Sequence, residues 1–398
     1  GSGYTIEFAL SGFKTVSRSG IAVRLNEDTQ INPVMQLADV QTEVVVTGET
    51  PVVDTTQTNT AQNFSNEYLR KLPIGSGTRS YQSILAQAPG VVGTGNPNVN
   101  GGSILENSFL VDGINTTDPV THTFSFNMNF DAIQEVSVQT SGYNAEYGRA
   151  TGGIVNVVTK SGGNEISGSL DVRYNSSDLA EEGDYYDPGF TPFRSTPWGV
   201  TLGGPVIKDR LWFFGNLSRG DNYRVPATTN ATILAQVPKA VARRFDGWND
   251  GLKLSFNLSE KLNGFLNFTD AQAKIPGASN QAYIRPEATS TQTQRATILN
   301  LKLNTILNDS WLAELQVGQS NSKLETGPTS GDQATSMWIN RTQGGVYYDN
   351  YYNYQRSNRD RTQAGLNSTY FLSGFLGNHE IKGGFDFDRT SFPSVNYY

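Results

Sequence analysis

Residues able to do covalent or metal chemistry are scarce in this chain. Its 398 residues contain no cysteine and two histidines, His122 and His379. A thiolate nucleophile, a disulfide framework and a thiolate metal site are therefore excluded. The two imidazoles stand far apart in sequence, and each reads as a solvated loop residue rather than a metal ligand. There is no His-Glu-x-x-His, no Gly-x-Ser-x-Gly elbow and no Gly-Lys pair, which removes a zinc protease, a serine hydrolase of that type and a P-loop. Glu181, Glu182 and Asp184 have calcium-ligand chemistry, but an acidic run of this kind is the ordinary composition of a solvated loop. No cofactor is implied, and a net charge of -7 leaves no nucleic-acid footprint. Two stretches can bind without reacting. Tyr347 to Tyr354 reads YYDNYYNY, a set of aromatic faces that stack on sugars or peptides, or equally form a girdle at lipid headgroup level. The second stretch, Glu43-Val44-Val45-Val46-Thr47-Gly48, is a β-branched strand beside a polar linker, and it offers main-chain hydrogen bonds to a partner edge. It reads alternatively as the last strand of a preceding sandwich.

The elements that must carry these stretches are mostly strands. Apolar residues make up only 36% of the chain, with 41 Gly, 18 Tyr and 20 Phe, too little for a large buried core and rich in turn formers. A chain of this length exceeds one ordinary domain. Period-2 alternation is persistent after Asn164, as in Leu252-Lys253-Leu254-Ser255-Phe256-Asn257-Leu258, Leu299 to Asn304 and Ile381 to Asp388. Further strands are expected at 168–174, 198–205, 211–219, 262–269, 311–319 and 363–372, about ten in all. Some are joined by tight turns, as at Lys208-Asp209-Arg210 and Asn308-Asp309-Ser310, and others by long segments. A cation on the lipid face at mid-bilayer costs about 2–4 kcal/mol, so Lys253, Lys302 and Lys382 are expected to face a wet interior with the Leu and Phe side chains outward. No run approaches a transmembrane helix, which leaves a transmembrane barrel open.

Before Asn164, short strands are expected at Tyr4 to Phe8, Ile21 to Leu25 and Ile31 to Leu37. Two short helices are expected at Asn66 to Leu72 and Ser80 to Ala88, the second with Ser80 as N-cap, and a helix-like patch at Ile233 to Phe245 is interrupted by Pro238. A strand over Phe109 to Asp112 precedes strands at Glu135 to Gln139 and Ile154 to Thr159. A Ser-Gly-Gly-Asn hinge then leads into the alternating region.

The run Ile133 to Leu170, with Phe109-Leu110-Val111-Asp112-Gly113 upstream, resembles the end of the plug domain of TonB-dependent outer-membrane receptors. The wording Ala145-Glu146-Tyr147-Gly148-Arg149-Ala150-Thr151-Gly152-Gly153 is most similar to the Oar-like branch, as are Trp198 to Pro205 and Asp209 to Gly215. Tyr4 to Lys14 resembles the closing strands of a carboxypeptidase-regulatory-like β-sandwich. The resemblance implies a mostly β fold: a transmembrane antiparallel barrel of the 22-stranded type, partly covered, with an N-terminal α+β plug and a partial sandwich. It implies residues 1–40 as the partial sandwich, 41–63 as a TonB-box-like segment and linker, 64–163 as plug and 164–398 as the first part of the barrel. Gly1-Ser2-Gly3 carries no secretion signal, so the sequence reads as processed or trimmed, and as the N-terminal portion of a longer protein.

By the same resemblance the chain is expected in the outer membrane, without enzymatic activity, importing an unidentified extracellular ligand. Its partners would be the bilayer and its lipopolysaccharide, and an inner-membrane TonB-like energising protein that grips Glu43 to Gly48. Plug apices after Asn100-Gly101 and Asp112-Gly113 imply Ser103, Asn107, Asn115, His122, Phe124 and Phe126 as substrate contacts. Siderophore-type relatives carry Arg-Gly where Asn100-Gly101 stands here, so the ligand class is left open. Two other readings are a structural or adhesive surface protein displaying Tyr-rich loops and a soluble glycan-binding β-protein.

Overall fold

The computed structural model describes residues 4–21, 23, 29, 31–37, 44–45, 60–72, 81–93, 96–125, 127–143, 146–148, 150–179, 192–226, 228, 230–237, 240–279, 281–341, 345–374 and 377–397. Three separate sheets carry most of these residues. The first is small: β1 (Tyr4–Phe8) pairs antiparallel with β2 (Val16–Ile21), and β3 (Val44–Val45) lies parallel to β2. A strand is seen at Val16–Ile21, pairing directly after the turn at Ser11-Gly12, while Ala22, Arg24 and Leu25 of the expected strand lie outside the described residues. Ile31 to Leu37 is not a strand and contributes a single bridge, Phe13 to Leu37.

The second sheet has the order β4-β7-β8-β5-β6, built from β4 (Thr60–Ser65), β5 (Ser108–Val111), β6 (Ile114–Asn115), β7 (Ile133–Ser141) and β8 (Ile154–Thr159). β8 reads Ile-Val-Asn-Val-Val-Thr and is buried on both faces, as a central strand should be, with β5 parallel on one side and β7 antiparallel on the other. Helix α1 (Asn66–Lys71) starts at Ser65, whose side chain accepts from the Tyr68 amide. Helix α2 (Gln82–Leu85) is shorter than expected and has no side-chain cap; Ser80, the expected cap, lies outside the described residues. Leu69, Ile84, Leu85, Phe109, Ile133, Val136 and Val138 form the core between helices and sheet.

The third sheet is a wall. Among the described residues nine strands follow one another in sequence and in space: β9 (Ser167–Val172), β10 (Trp198–Ile207), β11 (Leu211–Arg224), β12 (Arg243–Ser259), β13 (Leu262–Pro276), β14 (Ser290–Asn308), β15 (Trp311–Pro328), β16 (Tyr354–Ser373) and β17 (Asn378–Ser391). All neighbours are antiparallel. The strands are longer than the alternation alone indicated, up to 20 residues in β16. Their upper halves carry polar residues on both faces, so the hydrophobic period fades while the hydrogen-bond ladder continues. Phe245, read from sequence as the end of a helical patch, lies in β12, and α3 (Ala231–Gln236) covers only the start of that patch.

Register sorts the wall's side chains. Lys253, Asn267 and Asn300 contact the second sheet, so their alternation partners face away from it. That outer face reads Leu252 and Leu254 on β12, Leu266 and Phe268 on β13, Leu299, Leu301 and Leu303 on β14, and Leu315 and Val317 on β15. Leu252, Phe268, Leu299, Val317 and, on β17, Phe385 are exposed although they belong to a continuous band. No water-soluble surface tolerates a leucine belt of that extent, and lipid is its natural solvent. At one end β10–β11, β12–β13 and β14–β15 are joined by tight turns, and at the other end by long segments. Leu301 stands mid-band opposite Leu266. Substituting Leu301→Arg should destabilise the folded protein in bilayers by about 2–4 kcal/mol, read as a lower denaturant midpoint for refolding into lipid vesicles; an unchanged midpoint would place Leu301 away from lipid.

Candidate functional site: the joint between plug and wall

β5 and β6 are joined by Asp112-Gly113, both at positive φ (47° and 88°), which pairs Val111 with Ile114 across a two-residue turn. Asp-Gly accepts the type I′ geometry that such hairpins need, and the turn thrusts the Asp112 carboxylate at the wall. Asp112 is 6% exposed. Its carboxylate accepts hydrogen bonds from the Thr159 amide (2.9 Å), the Thr159 hydroxyl (2.6 Å) and Asn267 Nδ2 (2.9 Å), and Lys253 Nζ donates to it at 3.2 Å. Its carbonyl accepts from Asn300 Nδ2 and Gln316 Nε2. Lys253 Nζ also donates to the Thr159 carbonyl and sits 4.4 Å from the Phe265 ring centroid. The ammonium faces inward as expected, yet it is buried, at 5% side-chain exposure, against the plug-like unit of α1, α2 and the second sheet rather than wet.

Three further fastenings run along the same face. The Asn115 amide donates to Gln363 Oε1, while Arg361 Nη1 donates to the Asn115 side chain (2.7 Å) and to the Asn115 and Thr117 carbonyls. Asp118 forms a buried ion pair with Arg359 (2.7 Å, 3% and 8% side-chain exposure) and also accepts from the amides of Val120 and Thr121, which shapes the loop that follows. Lys382 pairs with Glu146 at 2.6 Å. Lys302 faces the same side and pairs with Glu314 of the wall.

Above Asp118, toward the long-segment end, a cavity of about 460 Å³ opens between the plug loop and the wall. Thr121, Thr123, Phe124 and Ser125 floor it, and Arg243, Phe245 and Arg359 stand around it. Its size falls in the range of small-molecule sites. Arg243 has no ion-pair partner among the described residues, and the Arg359 Nε is buried without an acceptor. Phe124 packs edge-on against Tyr81 and Phe109, and burial raises the Tyr81 phenol above its usual range, keeping it protonated. The long segments above are not independent. Ile233, Val237 and Val346 from two of them form a small core with Tyr283 of a third, and Arg285 lies 4.9 Å over the Tyr348 ring. Tyr348 donates a hydrogen bond to Gln236.

The residues expected to touch substrate separate into groups. Phe124 lines the cavity, and His122 is exposed, with φ 54°, in the turn that its amide closes onto the Asp118 carbonyl. Asn115 is consumed by the joint. Ser103 caps a short helical turn with Glu106, and Asn107 is buried, donating to the Pro97 carbonyl and accepting from the Gly153 amide. Phe126 lies outside the described residues, as do Glu43, Val46, Thr47 and Gly48, while Val44 and Val45 sit in the N-terminal sheet. Sequence reasoning missed the joint itself. The resemblance put Asp112-Gly113 before an apex and alternation turned Lys253 inward, but nothing in sequence pairs two residues 141 positions apart.

The outer membrane beta barrel domain model matches residues 158–246. Among curated proteins, the TonB-dependent transporter Oar of Myxococcus xanthus is 33% identical over 244 residues, covering 57% of this chain and 23% of that protein. Among solved structures, the siderophore receptor PirA from Acinetobacter baumannii aligns at TM-score 0.60 and 16% identity, over 83% of this chain and 48% of that one. The outer membrane transporter YddB from Escherichia coli aligns at TM-score 0.56 and 15% identity, over 85% of this chain and 56% of that one. This chain is therefore a homologue of the TonB-dependent transporters with their plug-and-wall fold, and it resides in the outer membrane. The soluble glycan-binding reading is set aside. The chain spans under a quarter of the curated relative's length and about half that of the solved structures.

Truncating Asp112→Ala should strand the Lys253 ammonium in a dry site and destabilise the plug by about 3–5 kcal/mol. The paired Asp112→Ala, Lys253→Met protein should recover much of that loss. Denaturant midpoints of the two proteins measure it; equal midpoints would mean that the ion pair is not buried.

Proposed function

We propose that this chain is the plug and leading wall of a non-enzymatic importer, in which ligand settles in the cavity above Asp118 and an energising periplasmic partner then displaces the plug. One observation supports it most: the plug is fastened to the wall chiefly by hydrogen bonds and ion pairs, at Asp112, Asn115, Asp118 and Glu146, with apolar contact confined to small patches such as Ala271, Ala296 and Ile298. Polar contacts can be exchanged for water one at a time, whereas a continuous apolar seam cannot. The cavity's hydroxyls, its two phenylalanine faces and the uncommitted Arg243 suit an oxygen-rich ligand with an anionic group. The handle is the stretch Glu43 to Gly48. Only two residue pairs, Val16 with Val44 and Ser17 with Val45, hold its described part in the N-terminal sheet. Such a short pairing gives way readily to a better strand partner.

The adhesive reading keeps one observation of its own. Three long segments share a small core, so they form a preorganised outer surface without any need for plug movement. Plug motion separates the two readings. A Cβ built on Gly318 would stand 3.3 Å from the Ile114 Cβ, close to disulfide spacing, and the chain has no native cysteine. An Ile114→Cys, Gly318→Cys protein should bind ligand yet stop importing when oxidised, and resume on reduction. Import that continues with the bond formed would defeat the displacement mechanism. Deleting 43–48 should likewise abolish import and leave surface binding intact, with unchanged import counting against the handle.

A further inference from the structure

The inner cavity has a branch. A smaller cavity, of about 100 Å³, lies between the plug and β9 to β12, and it shares Asn127, Phe245 and Asn249 with the one above Asp118. The two therefore meet at Phe245. A Cβ on Gly247 would stand 2.6 Å from Phe245 Cε1 and 2.7 Å from Cζ, so the ring lies over a position that only glycine leaves open.

Register accounts for the room beyond the ring. Gly199 pairs with Ser218, Ser218 with Asn249 and Gly220 with Gly247, and Gly199 faces Asn129 of the plug, which puts this set on the inner face. Glycine and serine leave the backbone itself as the surface, so a gutter runs along β10 to β12. On β13 to β16 the inner positions instead carry Asn267, Asn300, Gln316, Arg361 and Gln363, all spent on the plug. Below Ser218 the gutter is shut, because Thr201 and Phe214 of the same inner rows are buried. One polar group in the branch is uncommitted. Asn129 is 5% exposed and its Oδ1 accepts from the Asp131 amide, while its Nδ2 is buried without an acceptor beside Gly199. An unpaired buried amide is costly, and an incoming acceptor oxygen relieves that cost.

We propose that this branch is the ligand's route past the plug: an oxygen-bearing arm of a ligand seated above Asp118 passes Phe245 as a gate, takes the Asn129 amide as its donor and lies in the gutter along Gly199 and Ser218. The branch is smaller than the roughly 300–1,000 Å³ of whole-ligand sites, so it takes one arm at a time. The proposal rests on the import reading and adds to it the side on which the plug parts from the wall.

The test uses the otherwise cysteine-free protein in the outer membrane of intact cells, with Ser218→Cys in the gutter or Ser320→Cys on the inner face of β15 for comparison. The probe is a small anionic methanethiosulfonate added from outside, and heat-modifiable gel mobility confirms folding. In cells without energy, Phe245→Ala should speed labelling at 218 about tenfold and leave 320 unchanged, while Phe245→Tyr should label like the parent. A folded Phe245→Ala protein that labels at the parent rate would overturn the gate. In that open-gate background Asn129→Asp keeps the Oδ1 acceptor and replaces the donor with an anion. It should slow the anionic reagent several-fold relative to the uncharged methyl reagent, and an unchanged ratio would remove Asn129 from the route. In energised cells with the native Phe245, labelling at 218 should rise more than at 320, and a protonophore should abolish the rise. A rise at 320 that equals or exceeds the one at 218 would overturn the route and leave plug displacement standing. No rise at either position would defeat displacement itself, and the route with it.

Discussion

In hydrocarbon every backbone amide and carbonyl must find its partner within the protein, and that constraint governs everything after residue 164. The seven inner strands of the wall, β10 to β16, meet it by antiparallel pairing on both sides, and the pairing in turn sends successive side chains to opposite solvents. Leucine can then be exposed and lysine buried without contradiction. Leu252 and Leu254 meet lipid, whereas Lys253 between them reaches Asp112 of the plug. A shift of one residue in register would reverse both placements and is prohibitively costly on both faces.

The unit built on the second sheet packs differently against itself and against the wall. Its own core is apolar and contiguous, from Leu69 and Ile84 to Val136 and Val138. Its contact with the wall is instead made largely by charged and amide side chains. Asp112 alone accepts from the backbone and side chain of Thr159 and from Lys253 and Asn267. Polar contacts such as those of Asp112 fix position without adding the area-proportional adhesion of a hydrophobic seam.

Much of this architecture was legible in the residues. Alternation at Leu299 to Asn304 marked β14, and the tight turns at 208–210 and 308–310 marked one rim of the wall. The extension of the strands was not legible, because beyond Phe268 or Val317 both faces turn polar and the period vanishes. The candidate site was harder still. Asn107 and Ser103 have the same chemistry as ligand contacts, yet one ties Pro97 to Gly153 and the other caps a turn. Arg359 and Arg361 precede the strand expected at 363–372, and only the three-dimensional approach of Asp118 and Asn115 gives them work. Local periodicity reveals which solvent a side chain prefers, and long-range pairing decides which neighbour it meets.

The central claim is the division of one strand between two solvents. Because the chain lacks cysteine, single spin labels can be placed in turn at residues 301, 302, 303 and 304 of β14 in the full chain reconstituted into bilayers. Labels at 301 and 303 should relax strongly with oxygen and weakly with a polar nickel chelate, and labels at 302 and 304 should show the reverse preference. A flat profile across the four positions, or nickel access at 301 and 303, would contradict the account.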